Sequence, residues 1–247
     1  DDEYYDEYYY DDEYYDEYYY DDYYYDDDYY DDFDGEYFDE EAVIASYEVD
    51  GLELLGDPTP EHLQLWESFT ALIPAQYIEG VITYFEVIDD PETSGYVYGD
   101  EDDIDKFVLG LNVIELDQPR ELRHTIIHEY AHILTLSADQ IDMRLERGAS
   151  CPTFELEEGC SDDDSYVFAF YQQFYEDGGN NSNDAFVTEY ASTNIAEDMA
   201  ESFTFFILRP RPDGNSIADQ KVAFFYDYPE LVELRNATRA NLNTQQQ

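Results

Sequence analysis

The stretch His-Thr-Ile-Ile-His-Glu-Tyr-Ala-His, residues 124–132, decides how the rest of this 247-residue sequence is interpreted. Within it, His128, Glu129 and His132 form the pattern H-E-x-x-H. Residues four apart lie on one face of a helix, so the two histidines can offer ring nitrogens to one zinc ion. Glu129 can then reach a water molecule bound to that ion and accept its proton. The pattern therefore predicts a zinc site with its own general base.

The residues around this motif favour a buried helix. Most of its neighbours are apolar, and neither glycine nor proline interrupts the run. We expect Asp117 to cap the start of the helix and Pro119 to lie in its first turn. Polar side chains buried in an apolar helix cost free energy unless they find partners, which favours a ligand. The motif alone leaves a second interpretation open, two stacked histidines on a solvent-exposed face.

His124 lies on the same stripe as the two motif histidines. It precedes His132 by eight residues, or about 12 Å along a helix axis. One ion cannot bind both of these residues together with His128. We therefore interpret His124 as a packing or hydrogen-bonding neighbour and expect the third ligand to come from another segment.

A second predicted helix supplies candidates for that ligand. Asn194, followed three residues later by Glu197, is typical of a helix start with asparagine as the cap. Glu197 and Glu201 share one helix face, so Glu197 can complete three protein ligands and leave a fourth position for water. Glu201 can accept a ring N–H from one histidine and orient it. Spacing leaves Glu189, Asp198 and Glu201 open as alternative ligands, and a solvated acidic face as a further interpretation.

The motif helix, followed by Tyr-x-x-Thr-Asn-x-x-Glu-x-x-Ala-Glu at 190–201, resembles the gluzincin zinc peptidases. The resemblance is greatest to the catalytic domain of anthrax lethal factor and to the bacterial Pro-Pro endopeptidases. It covers about residues 118–208. It implies a zincin-like fold and the hydrolysis of peptide bonds. Substrate preference does not transfer, because the segment around Cys151 and Cys160 departs from both relatives.

The resemblance also implies roles for individual residues. It makes His128, His132 and Glu197 the zinc ligands and Glu129 the general base. It makes Tyr190, seven residues before Glu197, the donor that stabilises the oxyanion.

We expect an α+β fold for residues 42–247, with a small mixed sheet packed on the motif helix and a C-terminal helical part. Strands are predicted at 43–49, 81–88 and 107–116. Helices besides the motif helix are predicted at 60–72, 165–175, 217–225 and 229–242, and after Asn194. Residues 89–105 are predicted to be an exposed loop and 137–163 to be irregular. The strand at 107–116 is expected to offer an edge to an extended peptide.

Residues 1–41 have a different composition. The decapeptide Asp-Asp-Glu-Tyr-Tyr-Asp-Glu-Tyr-Tyr-Tyr occurs at 1–10 and repeats unchanged at 11–20. The segment holds 22 acidic residues, no basic ones and 16 of the 28 tyrosines. Such charge density without an aliphatic core predicts a disordered tail. We expect this tail to act as a solvated spacer. A more specific alternative is that its carboxylates and tyrosines bind calcium or a basic partner. Calcium is also a candidate ligand for the acidic loops.

The overall charge and the two cysteines limit location and partners. A formal net charge of −53 makes nucleic acids and anionic membrane surfaces poor partners. The sequence contains no apolar run of about 18 residues, so no membrane span is expected. Two isolated cysteines, Cys151 and Cys160, predict a disulfide and hence a secreted or cell-surface protein.

These patterns predict a zinc-dependent endopeptidase that acts on a peptide or protein. Zinc-dependent hydrolysis of a non-peptide substrate is compatible with the same residues. The alternative from another class is a surface binding or adhesive protein, in which the acidic tail binds cations or a partner and zinc is structural. Glu129 favours an enzyme, because a structural zinc site needs no base.

Overall fold

The computed structural model describes residues 42–100, 102–144, 150–176 and 183–245, which form a mixed α+β fold. The predicted acidic tail at 1–41 lies outside these residues. The strands are β1 (Val43–Asp50), β2 (Glu53–Leu54), β3 (Ile82–Ile88), β4 (Gly95–Gly99), β5 (Phe107–Asn112), β6 (Ile141–Asp142) and β7 (Cys160–Ser161). The helices are α1 (Pro60–Leu72), α2 (Pro119–Thr135), α3 (Tyr166–Phe174), α4 (Ile195–Leu208), α5 (Ile217–Phe224) and α6 (Pro229–Gln245). All the predicted helices are confirmed.

The main sheet has five strands in the order β2-β1-β3-β5-β4. Only β3 and β5 run parallel, and the other neighbours are antiparallel, so the predicted mixed sheet is confirmed. All six residues of β5 are buried, as expected for a central strand covered on both faces. On the inner face, the ring of Phe85 in β3 lies 5.2 Å from that of Trp66 in α1. This contact packs the sheet against the first helix.

The prediction of an exposed loop over 89–105 is wrong in part, because β4 forms within it. Tyr96, Val97 and Tyr98 alternate in side-chain direction as a strand requires, with glycines on either side. Val97 packs against the core, and the Tyr96 hydroxyl donates a hydrogen bond of 2.6 Å to Glu86 on β3. Pairing with β5 and these contacts with the core and with β3 stabilise a segment whose own composition resembles a loop.

The predicted strand at 107–116 ends earlier, at Asn112. The Asn112 side chain accepts a hydrogen bond from the backbone N–H of Ile114 and starts a 3-10 turn over Val113–Asp117. The expectation that this strand offers an edge is also wrong, because β5 lies between β3 and β4. Within the described part of the main sheet, β4 and β2 are the edge strands.

Helix α2 lies at the centre of the fold. Each residue from Thr125 to Ile133 is buried, because α2 contacts β4 and β5 of the sheet as well as α1 and α4. Pro119 occupies the first turn as predicted. The predicted cap at Asp117 is wrong: Gln118 precedes the helix, and its side chain makes no capping hydrogen bond.

The predicted disulfide between Cys151 and Cys160 is present. It lies in the segment predicted to be irregular, where β6 and β7 pair as a short antiparallel ribbon. Among the described helices, none has the length and apolar content needed to cross a membrane.

Gly110 in β5 provides a test of how the sheet is packed. A methyl group at this position would lie 2.3 Å from Cζ of Tyr96, its partner in the β4–β5 register. We expect Gly110→Ala to displace the Tyr96 ring and break its hydrogen bond to Glu86. Overpacking of this kind costs about 1–3 kcal/mol, or a decrease in Tm of roughly 2–12 °C for a domain of this size. Thermal unfolding followed by circular dichroism measures it.

The matched control is Gly99→Ala in β4. There the nearest atom to the added methyl group is Sδ of Met143 at 3.6 Å, an ordinary contact. A tolerated Gly→Ala change commonly raises stability by about 0.4–1 kcal/mol, so we expect its Tm to equal that of wild type or to exceed it by up to about 4 °C, rather than to fall. Equal Tm values for the two variants would show that the Tyr96 ring does not limit the size of the side chain at position 110.

Candidate metal centre

Helix α2 presents His128 and His132 on one face, one turn apart. Their Nε2 atoms lie 3.2 Å from each other, and both side chains are buried. The polar atoms therefore point at one small volume inside the protein. A helix that was apolar for packing alone would not bring two imidazole nitrogens this close.

Helix α4 brings a carboxylate to the same point. Its first turn is fixed by Asn194, whose side chain accepts a hydrogen bond from the backbone N–H of Glu197, so the predicted cap is confirmed. Oε2 of Glu197 lies 2.9 Å from Nε2 of His128 and 3.4 Å from Nε2 of His132. Three potential ligand atoms from two helices thus meet in one place.

The spacing of these three atoms fits a zinc ion. Zinc bonds to nitrogen and oxygen are about 2.0–2.1 Å long, so two ligand atoms at a tetrahedral angle lie about 3.3–3.4 Å apart. The observed separations of 2.9, 3.2 and 3.4 Å are close to that value. Oε2 of Glu197 is also buried without a hydrogen bond of good geometry among the described residues. A cation bound at the shared point would satisfy it.

Glu201 contacts the other ring nitrogen of His128. Oε1 of Glu201 lies 2.8 Å from Nδ1 of His128, and an ionised carboxylate can only accept, so Nδ1–H donates. In the neutral ring, Nε2 then carries the lone pair and faces His132 and Glu197. Thr188 donates a hydrogen bond of 2.8 Å to the other oxygen of Glu201, and Nε2 of His124 lies 3.6 Å from Oε1.

The charges in this cluster shift its pKa values. Burial alone would raise the pKa of Glu197 and of Glu201, but the nearby histidines outweigh it and hold both values below normal. Burial opposes charge on His128, yet the adjacent carboxylates of Glu197 and Glu201 raise its pKa to about 10. A metal ion binds the deprotonated ring, so its binding would release this proton.

Glu129 lies between the two histidines and the edge strand. It is buried, and burial raises the pKa of its carboxyl group. A methyl group on Gly95 of β4 would lie only 3.1 Å from Oε1 of Glu129, so the carboxylate packs against the strand backbone. Glu115 is a second buried carboxyl group nearby and accepts a hydrogen bond from Thr125. A raised pKa makes the ionised carboxylate a stronger proton acceptor than an ordinary glutamate.

Tyr190 lies in the turn Tyr190–Ser192 that precedes α4. Its ring centroid is 5.7 Å from that of His128, and 46% of the residue is exposed to solvent. The backbone N–H of Ala191 bonds to Oγ1 of Thr188, which also contacts Glu201. The turn that carries Tyr190 is therefore attached to the histidine cluster.

The alternative third ligands lie elsewhere. Asp198 is fully buried and pairs with Lys221, with 2.6 Å between Oδ2 and Nζ. Glu201 contacts Nδ1 of His128, and Glu189 is exposed. Among the described residues, the cluster of His128, His132 and Glu197 is the one group of three or more such side chains that could share a metal ion. The acidic loops therefore give no support to a calcium site.

Several residues of the site were missed in the sequence. Thr188 and Glu115 carry no recognisable signal, because a lone threonine or glutamate near a motif is common in so acidic a chain. His124 was predicted to be a neighbour that packs or forms hydrogen bonds, and it stacks near His128 with 6.3 Å between ring centroids.

No protein-family model matches this chain, and no curated protein sequence matches it. One similar solved structure is described as a "putative zinc-binding metallo-peptidase" from Bacteroides caccae. It is 15% identical with a TM-score of 0.39, and the match covers 74% of this chain and 76% of that one. These values are too low to transfer a function from that protein to this one.

Proposed function

We propose that this protein is a zinc-dependent endopeptidase of the zincin type. The main support for the proposal is the short distance between three potential ligand atoms. Nε2 of His128, Nε2 of His132 and Oε2 of Glu197 lie within 3.4 Å of one another, and the buried carboxylate of Glu129 lies beside them. Three protein ligands with an adjacent carboxylate are typical of catalytic zinc sites, because a fourth position stays open. Such a bound ion supplies a Lewis acid for the scissile carbonyl and lowers the pKa of a water molecule.

The protein's own residues perform the proton transfers and hold the substrate. Glu129 accepts the proton of the attacking water and delivers it to the leaving amine. The Tyr190 hydroxyl donates a hydrogen bond to the oxyanion that develops on the substrate carbonyl. Glu201 keeps His128 in the required tautomer. The open edge of β4, which lies against Glu129 at Gly95, accepts an extended peptide as an added strand.

The same proposal places the protein outside the cell. The Cys151–Cys160 disulfide is typical of an oxidising compartment. We also propose that the acidic tail at 1–41 is a solvated spacer. It would separate the catalytic domain, which begins at residue 42, from the cell surface or from a binding partner.

The test is the zinc content of purified wild-type protein and four variants. We expect one equivalent in wild type and in Glu129→Gln, and loss of the metal in His132→Ala and Glu197→Ala, because each removes one of three ligands. Glu201→Gln should keep the ion with an affinity about 10–100-fold weaker, as for other residues that orient a ligand. Elemental analysis and competition with a chelator measure both quantities.

Two outcomes would overturn this assignment. Full metal retention in Glu197→Ala would exclude Glu197 as the third ligand. A wild-type protein that binds no zinc, even after zinc is supplied, would favour the surface binding or adhesive protein instead.

A further inference from the structure

A threonine hydroxyl connects the turn that carries Tyr190 to helix α4. Thr188 lies two residues before Tyr190 and is half-buried. Its Oγ1 lies 3.1 Å from the backbone nitrogen of Ala191, within the turn. The same Oγ1 lies 2.8 Å from Oε2 of Glu201 on α4. One hydroxyl group therefore bridges two segments of the candidate site.

The partners of this hydroxyl fix the direction of its hydrogen bonds. A backbone N–H can only donate and an ionised carboxylate can only accept, so Thr188 accepts from Ala191 and donates to Glu201. The other oxygen of Glu201 accepts from Nδ1–H of His128 at 2.8 Å. Three hydrogen bonds thus form one chain from the backbone of the turn to a proposed metal ligand. Hydrogen bonds in such a chain polarise and strengthen one another.

The carboxylate in the middle of the chain depends on Thr188. Glu201 is 2% exposed, so water cannot replace a hydrogen bond that its carboxylate loses. Its Oε1 lies near both His128 and His124, whereas Oε2 accepts its hydrogen bond from Thr188 among the described residues. Without that hydroxyl, Oε2 would be a buried acceptor without a donor. The plane of the carboxylate would then be fixed on one side only.

The internal hydrogen bonds of the turn do not make this connection. Those donated by the backbone N–H groups of Ser192 and Thr193 end on carbonyl oxygens within the turn, at 2.9 and 3.0 Å. They hold the shape of the turn, whereas the hydrogen bond through Thr188 ties the turn to Glu201. This tie contributes to the position of the turn relative to the histidines.

We propose that Thr188 is a positioning residue that couples the order of the Tyr190 turn to the occupancy of the metal centre. This inference rests on the proposed function. A cation bound at Nε2 would restrain the ring of His128, the ring would restrain Glu201, and Glu201 would restrain Thr188. Coupling between two sites is reciprocal, so an ordered turn would also favour metal binding. The turn that supplies the proposed oxyanion donor would then be ordered fully only when the metal centre is filled.

The first test measures amide hydrogen exchange of residues 186–193 by mass spectrometry. The full chain is compared with zinc bound and after its removal by a chelator. We expect zinc to slow exchange of this segment about tenfold or more in wild type, because opening the turn must then break a hydrogen bond to a charged group. Thr188→Val should remove this effect of zinc. Thr188→Ser, which restores the hydroxyl, should restore it.

The matched control is Thr193→Val, the same change at an exposed position at the end of the same turn. It should keep the slowing by zinc that wild type shows, and circular dichroism checks that each variant is folded. The proposal is overturned if zinc leaves exchange in wild type unchanged, or if Thr188→Val keeps the slowing. A serine variant that behaves like the valine variant would assign the effect to the lost methyl group and also overturn the proposal.

The affinity for zinc measures the same coupling from the other side. Competition with a chelator should give a Kd about fivefold or more weaker for Thr188→Val than for wild type, the lower end of typical coupling between sites. Thr193→Val should bind zinc as wild type does. Equal Kd values for the two valine variants would contradict the coupling.

A kinetic comparison separates this inference from the proposed function. At saturating zinc, Thr188→Val should lower kcat for peptide cleavage about tenfold and change KM less than twofold, because the contact from Tyr190 is made in the transition state. The same change in a Tyr190→Phe background should have little further effect on kcat, whereas an equal loss in both backgrounds would show that Thr188 does not act through Tyr190. Exchange that depends on zinc without cleavage of any peptide would support the coupling and refute the peptidase. Peptide cleavage with exchange that is independent of zinc would do the reverse.

Discussion

Replacing Glu129 with glutamine is expected to lower kcat for peptide hydrolysis about 10²–10⁴-fold, the usual contribution of a positioned general base. The glutamine amide has nearly the same shape as the carboxylate, so it fits against Gly95 of β4 without displacing His128 or His132. It cannot accept the proton of the attacking water. The measurement is the initial rate of cleavage of a mixed peptide library by zinc-loaded protein, followed by mass spectrometry.

The matched control for this variant is Glu121→Gln, in the first turn of the same helix. Glu121 is exposed, and the change removes the same charge at a distance from the metal centre. We expect its rate to stay within about twofold of wild type. A Glu129→Gln protein that keeps zinc and more than half of the wild-type rate would rule out Glu129 as the base. Loss of zinc from it would assign Glu129 a role in holding the metal.

The substitution Lys221→Met is expected to destabilise the fold by about 3–5 kcal/mol, because it leaves a buried carboxylate without its cation. Lys221 is 2% exposed, and its Nζ lies 2.6 Å from Oδ2 of Asp198 and 4.0 Å from the ring centroid of Phe186. Tyr175 also bonds to Asp198, but a neutral hydroxyl does not replace the ammonium charge. The corresponding decrease in Tm is roughly 6–20 °C.

Two further variants show whether this loss comes from the unpaired charge. Lys106 is the other lysine of the chain, and it forms a surface pair with Asp103 at 3.3 Å. Lys106→Met should change stability by less than about 1 kcal/mol, as exposed ion pairs contribute little. The double variant Lys221→Met with Asp198→Asn should regain most of the lost stability, because the buried charge is gone. Unfolding at one fixed zinc concentration compares all the variants, and a Lys221→Met protein as stable as Lys106→Met would contradict the argument.

Local patterns were sufficient to predict the helices of the site. The H-E-x-x-H face depends only on residues four apart, and the start of α4 depends on Asn194 and the residues just after it. The spacing alone did not choose between Glu197, Glu201, Glu189 and Asp198. That choice depends on how α4 docks against α2, which is a contact between residues distant in sequence.

Other features could not be predicted because tertiary contacts form them. Strand β4 has glycines at both ends and lies in an acidic segment, and its stability comes from pairing with β5. The ribbon of β6 and β7 pairs residues that are distant in sequence, such as Ile141 and Ser161. The buried state of Lys221 has no local signal, since one lysine among 63 acidic residues is expected on the surface.

The hydrogen bond between His128 and Glu201 joins residues that are 73 positions apart in the sequence. The candidate metal ligands are separated almost as widely, so they do not meet until α2 and α4 have docked. A zinc ion would therefore bind the native chain in strong preference to the unfolded one. It would raise the free energy of unfolding by RT ln(1 + [Zn]/Kd), which is about 4 kcal/mol at a free concentration of 1,000 times Kd. Scarcity of zinc would thus lower both the activity and the lifetime of the folded protein.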